Sequence, residues 1–260
     1  MTERLDEAVV RRTGMSRSQA RSLIMEGRIR VNGIPAHKAG QNVAPGARVE
    51  IDEPRRFVSR GGEKLERALD AFEIPVAGRN ALDVGASTGG FTDCLLQRGA
   101  ARVTAVDVGY GQLDWKLRND SRVIVMERTN FRHLSDASFA GRFDIIAIDA
   151  SFISLVTLLA RAAGYLDPAG AIVALVKPQF EAGRERLSRG GVVRDPAVHC
   201  EVLRNVRDRA ALLGLRAVSL IASPLVGPAG NREFLMEMRP MGTVVNDARV
   251  ADVVGEGVPA

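Results

Sequence analysis

Four ionisable residues stand where a short apolar run stops: Asp83 after Ala81-Leu82, Asp107 after Val103-Thr104-Ala105-Val106, Asp149 after Ile145-Ile146-Ala147-Ile148, and Lys177 after Val173-Ala174-Leu175-Val176. Burying such a charge without a partner is costly, so each must be paired or put to use. Gly85-Ala86-Ser87-Thr88-Gly89-Gly90-Phe91 follows the first of them and leads into a helical pattern. Its small residues let the backbone approach a bound molecule, and the N–H groups at the helix start favour a carboxylate or other anion. Asp107 lies about 20 residues beyond this loop, where a carboxylate takes both hydroxyls of a ribose. A dinucleotide fingerprint would place its first glycine directly after the strand. Here the acid comes first, in the spacing Asp-x-Gly-x-x-x-Gly, which argues against a nicotinamide cofactor. A turn of purely structural use is the competing account.

The elements that must position these residues alternate from residue 80 onward. Strands are predicted over 80–83, 101–107, 123–126, 144–149, 171–177 and 216–222, with helices at 64–72, 153–166 and 197–213 among them. That order specifies an α/β fold, a parallel sheet covered on both faces. Sites in such sheets lie at the carboxyl ends of strands, where Asp83, Asp107, Asp149 and Lys177 all fall. A last strand, 233–238, is expected at the sheet edge. Residues 241–260 have no clear periodicity and read as a flexible or lightly packed tail. Ahead of this domain, 1–53 reads as a small α+β unit. Ser16-Arg17-Ser18-Gln19 is a capping box opening a second helix, Asn32-Gly33 turns a hairpin, and a strand spans 47–51. Residues 54–79 form a linker and leading helix, with a polar hinge at 52–56. Lys64 sits near the start of that helix, where the dipole disfavours it, so it is either exposed or held by a local anion.

The chain has 260 residues, 46% of them hydrophobic, enough for one α/β domain and an appendage. Its net charge of +5 fits a polyanionic partner. Between residues 11 and 30, arginines 11, 12, 17, 21, 28 and 30 face a single acid, Glu26. Such a run either contacts phosphates or is a solvated face. Cys94 and Cys200 suit neither a zinc site nor a disulfide framework, so no metal and a reducing cytoplasm are expected. No signal peptide or membrane span is expected either, because the most apolar region, 145–166, carries Asp149 and Arg161.

The loop Asp83-x-Gly85-x-x-x-Gly89 resembles the first motif of S-adenosylmethionine-dependent methyltransferases. Arg4-Leu5-Asp6, Ser16-Arg17-Ser18-Gln19-Ala20 and Gly27-Arg28-Ile29-Arg30-Val31-Asn32-Gly33 together resemble the small RNA-binding domain named after a ribosomal small-subunit protein (S-four-like). Ser59-Arg60-Gly61-Gly62-Glu63-Lys64-Leu65 and Gly230-Asn231-Arg232-Glu233-Phe234 complete a resemblance to the TlyA family of ribosomal RNA 2′-O-methyltransferases, within the FtsJ-like group, over nearly the whole chain to about residue 240. This resemblance implies a Rossmann-like class I methyltransferase domain and methylation of cytidine ribose in ribosomal RNA of both subunits. It implies a catalytic tetrad of Lys64, Asp149, Lys177 and Glu233. Asp83, Gly85, Ser87, Gly89, Gly90, Phe91, Asp107, Asn130 and Asp149 would hold S-adenosylmethionine, and Arg4, Arg17, Arg21, Arg28, Arg30 and Arg60 would contact RNA. Asn130 departs from the aspartate that FtsJ-like enzymes commonly set at the adenine.

Lys177 would act on the ribose hydroxyl, either taking its proton or orienting it and stabilising the developing oxyanion. Phe152 either borders the target pocket or simply packs, and packing is the expectation. Arg184, Arg186 and Arg189 either touch RNA or lie in a solvated loop. Three rivals stand beside this reading. One is an RNA-binding assembly factor with a vestigial methyltransferase domain. The second is a membrane-lytic haemolysin, although no segment offers the apolar and basic faces it needs. The third is a base methyltransferase, although Asp149-Ala150-Ser151-Phe152 lacks the Asn/Asp-Pro-Pro-Tyr/Phe-type segment.

Overall fold

The computed structural model describes residues 2–25, 27–51, 56–188, 190–227 and 230–256, so Glu26, Arg189 and most of the hinge at 52–56 lie outside the described residues. The chain divides into two compact units, Met1–Arg56 and Phe57–Ala260.

In the first unit, β1 (Glu3–Arg4) leads into α1 (Leu5–Thr13), followed by α2 (Arg17–Met25), β2 (Ile29–Val31), β3 (Ile34–Ala36), β4 (Asn42–Val43) and β5 (Val49–Ile51). The capping box forms reciprocally: the Gln19 N–H donates to Ser16 Oγ at 3.3 Å and the Ser16 N–H donates to Gln19 Oε1 at 2.9 Å. Asn32 and Gly33 both take positive φ, 52° and 80°, so the β2–β3 hairpin turns in two residues, as the sequence predicts. β2 lies between β3 and β5, and β1 pairs with β4. Leu5, Val9, Ala20, Ile24 and Ile29 close a small core of their own.

The second unit runs α3 (Gly61–Ala71), β6 (Asn80–Val84), α4 (Gly90–Gln97), β7 (Arg102–Val106), α5 (Trp115–Arg118), β8 (Val123–Met126), β9 (Phe143–Ile148), α6 (Leu155–Tyr165), β10 (Leu166–Val176), α7 (Pro178–Glu181), α8 (Pro196–Leu212), β11 (Arg216–Ala222), β12 (Phe234–Arg239) and α9 (Asp247–Gly255). Its seven strands lie in the order β11-β12-β10-β9-β6-β7-β8. The five from β10 to β8 are parallel, while β12 pairs antiparallel with both neighbours. Alternation along each strand sends side chains to opposite faces. Ile146, Ile148, Ile172, Ala174 and Phe234 join α6, α8 and α9 on one side, and Ile145, Ala147, Val173, Leu175 and Leu235 join α3 and α4 on the other.

Two expectations are corrected here. The last strand is not at the edge: β12 inserts between β10 and β11, because its residues Phe234, Leu235, Met236 and Met238 are apolar on both faces and fully buried. Nor is 241–260 a loose tail throughout. Its residues 247–255 form α9, capped by Asn246 Oδ1 accepting from the Arg249 N–H at 2.8 Å, with Val250, Val253 and Val254 buried in the core. That apolar stripe of three valines is too short to stand out as a period.

Candidate active site

The carboxyl ends of β6, β7, β9 and β10 meet at one rim, and the four tetrad candidates and most of the predicted cofactor residues gather there. A cavity of about 670 Å³ is lined by Arg60, Lys64, Gly85, Ser87, Gly90, Phe91, Asp149, Lys177 and Glu233, among others. A second, of about 380 Å³, holds Asp107 and Asn130. Gly85, Ser87, Asp149, Ser151 and Phe152 line both, so the two form one continuous trough.

Gly85 explains the close approach. It takes φ 86°, and a Cβ there would lie 2.4 Å from the Asp149 carbonyl oxygen, so only glycine lets the ends of β6 and β9 meet. At the end of β7, the Asp107 carboxylate accepts the Ser87 N–H at 2.8 Å and the Gly109 N–H at 2.6 Å, which fixes it against the loop. Asn130 Oδ1 accepts the Arg132 N–H at 3.1 Å. Apolar Val108, Phe131, Ile153 and Leu158 stand in the same cavity. A ribose-binding carboxylate, an amide and apolar walls are what an adenosine group needs.

The four tetrad candidates come together as two ion pairs from four elements. Lys177, on the residue after β10, places Nζ 2.6 Å from Asp149 Oδ1 and donates to Ser151 Oγ at 3.0 Å. Lys64, on α3, pairs with Glu233, just ahead of β12. Lys64 is only 9% exposed, so of the two alternatives for it the local anion holds. The segment leading to α3 is in turn fixed by Asp93 on α4, whose Oδ2 accepts the Val58 N–H at 2.8 Å.

Two predicted cofactor residues lie elsewhere. Asp83 is fully buried beneath the loop, borders neither cavity, and accepts the Thr92 hydroxyl at 2.6 Å. Burial pushes its carboxyl up to about 7, against the Thr92 hydrogen bond and with the help of the Asp149 charge. Gly89, at φ 96°, faces Leu117 and Leu113, where a Cβ would come within 2.3 Å and 2.8 Å. It serves the turn and the packing of α5, not the trough. Of the two alternatives for Phe152, bordering the pocket holds over packing: it lines the trough and is 91% exposed, at φ 65°, with its ring tilted against Phe180 at 5.2 Å. A bulky aromatic residue exposed in a left-handed conformation is strained.

Sequence reasoning missed Ser151, Gln179 and Asn231, which also line the trough. Ser151 and Gln179 each stand two residues past a strand-end charge, so the rim rule would have found them. Asn231 carried no such signal.

In the N-terminal unit the predicted RNA contacts are partly committed. Arg4, Arg17 and Arg21 converge on the fully buried Asp6 at 3.0, 3.2 and 3.1 Å, and Arg17 also meets Glu7 at 3.0 Å. These arginines, with Arg4 first, hold the Asp6 carboxyl well below the usual carboxylate range. Arg17 and Arg21 keep about half their side-chain surface in solvent. Arg30 donates to the Gly33 carbonyl at 3.2 Å, and Arg28 lies just before β2. Arg186 pairs with Glu201, and Arg184 is exposed.

Comparison with known proteins places this geometry. A family model described as FtsJ-like methyltransferase matches residues 57–239, and one described as S4 domain matches residues 3–49. The chain is 49% identical over 239 residues, 91% of its length and 89% of the relative's, to the 16S/23S rRNA (cytidine-2′-O)-methyltransferase TlyA of Mycobacterium tuberculosis (strain ATCC 25618 / H37Rv). It is 40% identical to Hemolysin A of Brachyspira hyodysenteriae, over 85% of this chain and 92% of that one. A solved Streptococcus thermophilus structure bearing a hemolysin name superposes with a TM-score of 0.76 at 41% identity, covering 98% of this chain and 94% of the other.

Proposed function

Because the chain belongs to the TlyA family of FtsJ-like methyltransferases, we propose that it methylates the ribose 2′-hydroxyl of cytidine in ribosomal RNA of both subunits, using S-adenosylmethionine. The observation that carries this reading is the two ion pairs, half-buried Lys177 with Asp149 and buried Lys64 with Glu233, beside a trough that fits the cofactor. The fit rests on Gly85, whose missing side chain opens the approach, and on Asp107, whose carboxylate is pre-set for ribose hydroxyls. Asn130 offers an amide to the adenine, and Ser87, Gly90 and Phe91 border the methionine half of the trough.

When bound, S-adenosylmethionine supplies an activated methyl group and a neutral thioether leaving group. The residues of the chain then have to align oxygen with methyl and manage one proton. The hydroxyl proton leaves to water, and Lys177 pairs with Asp149 at 2.6 Å. Its part is to orient the hydroxyl and stabilise the developing oxyanion, with Asp149 and Ser151 fixing its ammonium group. Lys64 adds positive charge on the same side, held in place by Glu233. Phe152 gives the target base an exposed aromatic face at the mouth, of the kind that stacks on unpaired nucleotides. The N-terminal unit, with Arg17, Arg21, Arg28 and Arg30, supplies phosphate contacts.

The test is transfer of labelled methyl from S-adenosylmethionine to purified ribosomal subunits, with nucleosides identified by mass spectrometry. Ribose-methylated cytidine from both subunits is the expected product, and modification of a base would sink the proposal. Donor binding without transfer would turn the reading toward an assembly factor. The hemolysin names favour a second reading, lysis of membranes. Among the described residues no helix is long and apolar enough to cross one, and dye release from lipid vesicles measures that activity directly.

A further inference from the structure

We propose that Arg232 is a positioning residue that ties α9 to the start of β12 and so fixes Glu233 for its part in transfer, an inference that rests on the tetrad reading above. Three consecutive residues before β12 are each anchored to a different part of the second unit. Asn231 accepts the Val193 N–H at 3.0 Å and donates to the Gly191 carbonyl at 3.1 Å. Arg232 donates from Nη1 to the Val254 carbonyl at 2.7 Å and from Nη2 to the Glu256 carbonyl at 2.6 Å. Glu233 pairs with Lys64 on α3.

The acceptors of Arg232 are not arbitrary. The last carbonyls of a helix have no partner within it and carry the negative end of its dipole, so a guanidinium fork both satisfies them and matches their charge. α9 offers them from a fixed place. Val250, Val253 and Val254 are buried, and Asp247 at its first turn meets Arg207 of α8 at 2.6 Å and Arg204 at 3.4 Å. The Arg232 guanidinium lies 5.4 Å from the ring centroid of Phe234, which belongs to the core on the sheet face that α8 and α9 cover. Alternation then sends Glu233 to the opposite face, where α3 presents Lys64. The chain is therefore gripped through the sheet, α9 pulling on one side and Lys64 on the other. Glu233 is 2% exposed and cannot re-seat through solvent, so an error in the backbone at 232 reaches its carboxylate undiluted.

The experiment uses the full chain with Arg232→Ala, Arg232→Lys, Glu233→Ala and the double variant Arg232→Ala/Glu233→Ala. Measured are kcat and KM with ribosomal subunits, donor affinity by calorimetry and the thermal midpoint. Arg232→Ala is expected to lower kcat about tenfold, roughly 1.4 kcal/mol of barrier, with KM and donor affinity nearly unchanged. Lysine, which can meet one carbonyl at a time, should restore part of the loss. In the Glu233→Ala background the Arg232 change should cost nothing further, since the group it positions is gone. Normal kcat in Arg232→Ala, or losses that multiply in the double variant, would overturn the proposal. If Glu233→Ala itself turns over normally, the tetrad reading fails instead. Should the alanine variant not fold, Arg232→Lys carries the same comparison alone and in the Glu233→Ala background.

Discussion

Lys177 meets Asp149 at 2.6 Å and Ser151 at 3.0 Å, and in the proposed mechanism it is the group that stabilises charge on the reacting oxygen. Lys177→Ala is expected to cut methyl transfer by about 10²- to 10⁴-fold while donor affinity in calorimetry stays near that of the parent, because the adenosine-side residues Asp107 and Asn130 are untouched. Turnover at the parent rate would remove Lys177 from the chemistry. Asp83 carries a different consequence. Its carboxyl is raised from 3.8 to about 7 by burial. A group whose folded pKa is raised stabilises the fold fully below its unfolded value, and that contribution is lost as pH rises through the folded one. Stability should therefore fall between about pH 4 and pH 7, by at most about 4 kcal/mol, and Asp83→Asn should flatten that fall while keeping the Thr92 hydrogen bond. Thermal midpoints taken across this range give the answer, and an unchanged slope would assign the pH dependence to other groups.

At the level of elements, the strand ends and the loop glycines set the trough, but helices hold it. α4 anchors the segment before α3 through Asp93 and Val58, and α9 packs under β11 and α8. Val253 is fully buried in that contact. Placing a carboxylate there with Val253→Asp should destabilise the second unit by 3 kcal/mol or more, on the order of an unpaired buried charge, and denaturant titration would register it. If residues 241–260 were loose, the same change would be silent. The capping box of α2 is a smaller case. Ser16→Ala removes the hydroxyl that receives the Gln19 N–H and should cost the first unit about 1 kcal/mol.

For the molecule as a whole, a net charge of +5 matters only where cations are available to phosphate. Arg17 and Arg21 both spend part of their charge on Asp6 yet remain half exposed. Replacing both by alanine should weaken ribosomal RNA binding and lower the slope of log affinity against log salt by roughly one unit per lost phosphate contact. It should also destabilise the first unit, since Asp6 would be left buried with Arg4 alone among these three. Adding Asp6→Asn separates the effects: stability should recover and the reduced salt slope should persist. An unchanged slope would move the RNA surface to other residues.

What the sequence by itself determined are features of one or two turns of chain. The capping box, the Asn-Gly hairpin and the alternation of strand and helix each depend on neighbours in sequence. So did the rim position of Asp107, Asp149 and Lys177, because the end of a strand is visible as the end of an apolar run. Only the tertiary structure decided which side each group faces and what it meets. Asp83 and Gly89 have the motif spacing but turn inward, toward Thr92 and toward Leu113 and Leu117. Phe152 reads either as packing or as bordering a pocket, and the fold leaves it 91% exposed beside Phe180, at φ 65°. β12 reads as an addition at the edge and lies inside the sheet, paired with β10 on one side and β11 on the other, its apolar residues fully buried. Lys64 and Glu233, 169 residues apart in the chain, become partners through packing alone.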